Sequence, residues 1–227
     1  MATGVLALVL GGGLVWLALR LRQAALARVA ARAAYFDHVA PLFERPLRAL
    51  SPTGFARLSG QIGEVTIDLQ AVPDSLTFRK LPALWLLVTV PEPLPLGQRL
   101  DLMARPRGVE PFSAFEMLPL QIALPPGAPE DAALRSDGPP DPQDLAVLAA
   151  HLHLFDDPRL KELVMGPDGL RLVWLADEAD RGQYLLFRAN ETGQTPLAPE
   201  DLRPLLAAVL GLRQTILTLP EDLRQCA

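Results

Sequence analysis

Residues 2–19 (ATGVLALVLGGGLVWLAL) run for eighteen positions without a charged side chain, and Arg20 and Arg22 follow at once. Such a run sits at the short end of what spans a ~30 Å hydrocarbon layer as a helix. A cleaved secretory leader needs positive charge before its apolar stretch, and only the N-terminal amine precedes this one. Trp16 lies near the Arg-bearing end, where amphipathic aromatics settle at a headgroup level. The expectation is therefore an uncleaved single-pass transmembrane anchor over 1–20 in a cell inner membrane. By the positive-inside rule its N-terminus faces out and the body is cytoplasmic.

Thr3, Ala7 and Gly11 recur at every fourth position within this run, and Gly11, Gly12 and Gly13 remove the side chains of a turn. Small residues at that spacing let a second helix approach closely, so the three mark a helix-packing interface. The expected partner is an integral membrane protein or a second copy of the chain. Residues 21–39 continue as an Ala-rich helix, since alanine is the best helix former. Arg28 and Arg32 fall one turn apart on it. With Trp16, Arg20 and Arg22 they form a membrane-interface set able to meet anionic lipid headgroups. Pro41, Pro46 and Pro52 then interrupt the chain, giving a juxtamembrane helix and connector over 21–53.

The charge is unevenly spread. The chain has 26 acidic and 21 basic residues, a net charge of −5, yet its first 36 residues hold four arginines and no acid. The remaining 191 residues carry 17 bases against 26 acids, or −9. An acidic body without a basic stripe argues against nucleic acid as a partner, because such binding draws on Lys and Arg at phosphates. A single cysteine, Cys226, excludes an internal disulfide framework and any multi-cysteine metal site.

In the body, Val65, Ile67 and Leu69 alternate with Glu64, Thr66, Asp68 and Gln70, the period of a half-buried antiparallel strand. A second run is expected over 76–81, and residues 84–90 (LWLLVTV) read as a central strand. Twelve of the 23 prolines then fall within 91–142. Proline cannot donate to a sheet ladder, so edge strands and extended crossings are expected there. Asp141-Pro142 opens a helix, with proline in its first turn. Gly166-Pro167-Asp168-Gly169 joins two apolar runs as a hairpin, residues 183–188 give a third strand, and Pro199-Glu200-Asp201 opens a final helix. The fold class expected is α+β: an antiparallel sheet in two strand meanders with flanking helices behind the anchor. The divisions are a first β-rich subdomain with the Pro-rich segment over 54–140 and a second α+β subdomain over 141–227.

Catalytic signatures are sparse. No phosphate loop, dinucleotide fingerprint, nucleophile elbow or zinc-protease motif occurs, and no cofactor is implied. His151, His153 and Asp156 are candidate metal ligands, since two imidazoles and a carboxylate form a known set. On a helix the two rings would point about 200° apart and could not hold one ion. Asp177, Glu178 and Asp180 make an acidic cluster without the spacing of a calcium loop. The function expected is a non-enzymatic, membrane-anchored accessory, assembly or scaffolding subunit of an inner-membrane complex. Two other readings stay open. One is a metal-assisted hydrolase at the histidines, and the other is a tethered ligand-binding sensor whose segment 91–142 lids a pocket.

Overall fold

A computed structural model of the chain describes residues 2–74, 81–179, 182 and 192–219. Its helices are α1 (Ala2–Ala33), α2 (Pro142–Ala150) and α3 (Pro199–Thr218). Its strands are β1 (Glu44–Leu50), β2 (Ala56–Ile62), β3 (Val65–Asp74), β4 (Ala83–Val90) and β5 (Leu100–Ala104). They continue as β6 (Leu120–Ile122), β7 (Ala132–Ser136), β8 (Leu160–Gly166) and β9 (Gly169–Glu178). All nine pair antiparallel in one sheet, ordered β1-β2-β3-β4-β9-β8-β5-β7-β6.

The register gives the sheet two unlike faces. Leu58, Leu69, Val88, Leu172, Leu163, Leu102, Leu134 and Ile122 are successive cross-strand partners and form one apolar row from β2 to β6. Partners opposite one another share a face, so this row is the floor of the core. Val147 and Leu148 of α2, Leu202, Leu206, Val209 and Leu212 of α3, and Tyr35, Phe36 and Phe43 cover it. One residue along, the partners are Asp68, Thr89, Arg171, Val164, Asp101 and Arg135, a mostly polar row on the opposite face. There a smaller cluster of Leu87, Met103, Val173, Phe112 and Phe115 lies beneath the segment that follows β5.

Local chemistry accounts for the punctuation. Asp141 caps α2 by accepting a hydrogen bond from the Gln143 amide at 2.7 Å, with Pro142 at the first helical position. Asp141→Ala is expected to cost about 1 kcal/mol, measured as a fall in the urea midpoint at unchanged slope. Gly169 closes the β8–β9 hairpin at φ 135°, and a Cβ there would lie 2.1 Å from the Val90 carbonyl oxygen. Only glycine fits that backbone and that contact.

The structure corrects three expectations. Among the described residues no helix is long and apolar enough to cross a membrane. The transmembrane anchor over 1–20 is therefore withdrawn, together with the single-pass, N-terminus-out, inner-membrane placement. Arg20, Arg22, Arg28 and Arg32 belong to the same continuous helix. The two meanders are likewise replaced by a single nine-stranded sheet, because β4 pairs with β9 and β5 pairs with β8. The proline-rich stretch supplies an edge strand as expected, β6, but departs from its reading as edge and crossing segments at β5 and β7. β5 is an interior strand between β8 and β7, since Pro95 and Pro106 flank it and neither enters its ladder. The runs expected over 76–81 and 183–188 lie almost wholly outside the described residues.

Candidate functional site

On the polar face, Asp101 of β5 and Glu162 of β8 stand as diagonal neighbours. Asp101 pairs with Val164 while Met103 pairs with Glu162, and a two-residue offset on one face brings side chains within reach. Both are buried, at 2% and 0% exposure. Glu162 reaches this face beside a β-bulge: Leu160 opposes Trp174, Glu162 opposes Val173, and Lys161 is the extra residue between them.

The cover comes from the chain after β5. Ser113 donates a short hydrogen bond to Glu162 Oε1, and the Phe115 amide donates to Ser113 Oγ at 3.0 Å. Phe112 stacks at a tilt on Trp85, with ring centroids 4.9 Å apart. Lys161 fastens the start of the cover. Its Nζ donates to the carbonyls of Ala104 at 2.9 Å and Arg105 at 2.6 Å, and lies 3.3 Å from Glu110 Oε1.

The two carboxyls are held in their protonated direction. Burial pushes Asp101 well above the usual carboxylate range, Glu162 pushes it further, and Arg171 and Arg99 oppose only in part. Burial likewise raises Glu162, against hydrogen bonds from Ser113 and Asp101 and the charges of Arg171 and Lys161. Beyond the hydrogen bond between the two carboxyls, Asp101 Oδ1 and Glu162 Oε2 are buried with no other partner. Both residues line a cavity of about 210 Å³ whose other walls include Arg99, Arg171, Ser113 and Leu118. The arrangement offers two buried carboxyls that share a proton, beside two guanidinium groups.

The sequence-derived candidates lie elsewhere. His151 ends α2, and the chain tightens into a 3-10 turn over Leu152–Asp156. That turn brings the rings of His151 and His153 to 6.0 Å at 34°, in place of the wide divergence of a continuous helix. Each Nδ1 is engaged by a backbone carbonyl, His151 with Val147 at 2.9 Å and His153 with Ala150 at 3.2 Å. Asp156 is exposed at the end of the turn. Among the described residues no group of three His, Cys, Asp or Glu could hold a metal ion. Asp177 Oδ2 accepts the Gly193 amide at 2.8 Å, while Asp180 and Cys226 lie outside the described residues.

Thr3, Ala7 and Gly11 fall along one side of α1, and a Cβ on Gly11 would meet nothing within 4 Å. The Arg20 guanidinium lies 5.4 Å from the Trp16 ring centre and that of Arg32 5.3 Å from Phe55. Arg22 is exposed and Arg28 half-buried. From Leu10 to Ala27, α1 is exposed along its whole length. No protein family, curated protein or solved structure matches the chain.

The pair Asp101 and Glu162 escaped sequence reasoning because charged residues alternating with apolar ones read as a solvated strand face. A usable signal was nevertheless present. Asp101 is the one charge in LDLMA, and Lys161 and Glu162 are the two charges in LKELVMG, on strands that a wide sheet would place inside.

Proposed function

We propose that the protein is a non-enzymatic assembly or scaffolding subunit that associates through α1 with a helix of another protein or of a second copy. The observation that supports this reading is the exposure of Leu10, Leu14, Leu17 and Leu21, at 59%, 68%, 47% and 61%. Their spacing of four, three and four residues keeps them on one stripe, the seam along which two helices interlock side chains. Gly11 lies beside that seam. Val15, Trp16, Leu19 and Leu26 are exposed on the remaining surface. A helix that is apolar around its circumference is one that ends buried, and the body of this chain does not cover it.

The test uses the full chain, purified with its native partners and sized by light scattering. The intact protein is expected above its 24.6 kDa monomer mass. Leu14→Asp combined with Leu17→Asp is expected to return it to the monomer with unchanged near-ultraviolet dichroism, because these side chains are exposed. Gly11→Leu is expected to weaken association in the same direction by pushing two helix axes apart. A parent protein that is itself a 24.6 kDa monomer with no co-purifying chain overturns the reading.

A further inference from the structure

The β8–β9 hairpin carries a half-buried charge with little to hold it. Arg171, two residues past the turn, is partly buried and lines the cavity of about 210 Å³. Among the described residues its one hydrogen bond runs from Nε to Thr89 Oγ1 at a long 3.4 Å, and it makes no ion pair. The acids that face it do not answer it, since Asp101 and Glu162 bond to one another and are held toward their protonated forms. A planar guanidinium presents a fork of parallel donors, and here the Nη donors have no protein acceptor.

Arg99 reaches the same cavity from the residue before β5. Its Cβ lies 3.5 Å from where a side chain on Gly166 would begin, and its Nη2 contacts Asp168 Oδ2 at 3.1 Å. The Asp168 side chain is 83% exposed, and an exposed pair of this kind is weak. The charges of both arginines are felt at one carboxyl, that of Asp101, so the two stand close to a common point. Two arginines against one ionised aspartate leave the lining one positive charge in excess while the acid pair keeps its protons.

Much of the remaining wall is apolar, with Leu118, Val164 and Leu170 among its residues. The volume lies below the ~300–1,000 Å³ of sites for drug-sized ligands, so the occupant is small. A cation meets guanidinium groups there. A multiply charged phosphate exceeds the single excess charge and leaves the apolar wall unused. We propose that this cavity binds a small monocarboxylate with an apolar body, its carboxylate held by Arg171 and by Arg99 in place of Asp168. A carboxylate matches the guanidinium fork, and that pairing gains strength where water is partly excluded. Ser113, Ala114 and Leu118 belong to the wall, so the segment that follows β5 encloses the ligand.

The experiment is titration calorimetry of the full chain at about pH 6, where the acid pair keeps its protons. Acetate, butyrate, hexanoate and benzoate are the probes, and butyramide, butylammonium and inorganic phosphate are the controls. The expected result is saturable binding of at least one of the three larger carboxylates, tighter than acetate or phosphate, with no binding of butyramide or butylammonium. Arg171→Met and Arg99→Met are expected to raise Kd at least about tenfold. Asp168→Asn is expected to lower it about two- to fivefold by releasing Arg99. Each variant is checked for the parent's dichroism spectrum, and Arg99→Met and Asp168→Asn carry the test alone if Arg171→Met does not fold. Absence of binding by all four carboxylates overturns the proposal. So does butyramide or phosphate binding as tightly as the best carboxylate, an unchanged Kd in the arginine variants, or weaker binding by Asp168→Asn.

Discussion

Lys161→Met is expected to lower the stability of the protein by about 3–5 kcal/mol, read as a drop in the urea midpoint at unchanged slope. Lys161 is buried, and its ammonium is shared by two backbone carbonyls and the buried Glu110. Methionine keeps the length of the stem and removes every donor. Glu110 would then hold its charge at 4% exposure with this ammonium gone, and removing the cation beside a buried carboxylate is what makes breaking such a pair costly. A second cost is local. Arg105 has φ 50°, an unusual conformation for a side chain with a Cβ, and its carbonyl is one of the two that Lys161 ties down. Its own guanidinium donates to the Pro158 and Leu160 carbonyls, so β5 and β8 are laced at this end from both sides.

Adding Glu110→Gln to Lys161→Met is expected to recover part of the loss, because the amide keeps its shape and sheds the charge. A loss below about 1 kcal/mol in the single variant, or no recovery in the double, would show that the ion pair is not what holds the cover in place.

Much of the local structure was legible in the sequence because it depends on neighbours in the chain. The alternation of Val65, Ile67 and Leu69 sets the inward face of β3, and all three are buried. The continuous apolar run of β4 belongs to a strand flanked by β3 and β9. Gly166-Pro167-Asp168-Gly169 closes the hairpin where expected, and Pro142 and Pro199 open helices. What stayed illegible depends on distant pairing. β5 meets β8 across some sixty residues of intervening chain, and no local pattern encodes that register. Proline density misled for a related reason: it describes the connections around β5 and β7 and says nothing of the strands they flank.

The same distinction explains the two functional surfaces. The first eighteen positions after Met1 gave a hydropathy signal that reads as a membrane span, whereas the helix they belong to runs on through four arginines to Ala33. Its exposure is a property of the whole fold, visible only once the body is seen to leave it uncovered. Asp101 and Glu162 show the converse case. Alternation alone assigns them to the outer face correctly, yet that face is roofed by Phe112, Ser113 and Phe115, and roofing turns solvated carboxylates into buried acids.

Asp101→Asn is expected to stabilise the protein by about 2 kcal/mol or more at pH 8 and by almost nothing at pH 4. The direction follows from the raised position of both carboxyls in the folded state. Below about pH 4 the folded and unfolded chains both keep these protons, and the pair contributes no pH dependence. Above it the unfolded chain releases protons that the folded chain retains, so stability falls by ~1.4 kcal/mol per pH unit for each proton held. The decline runs upward from the ordinary carboxylate range through neutrality and stops only when the buried groups themselves ionise. Asparagine does not titrate, and its amide keeps a donor toward Glu162 at every pH, in place of the proton that Asp101 shares with it. The gain therefore opens with rising pH, as the parent loses what the variant keeps. Combining Asp101→Asn with Glu162→Gln flattens the profile further, since both titrating groups are gone. Urea midpoints of parent, single and double variants at pH 4, 6 and 8 provide the measurement. A parent whose stability rises from pH 4 to 8 in parallel with the double variant would mean that the two carboxyls ionise normally. The polar face of the sheet would then be open to water.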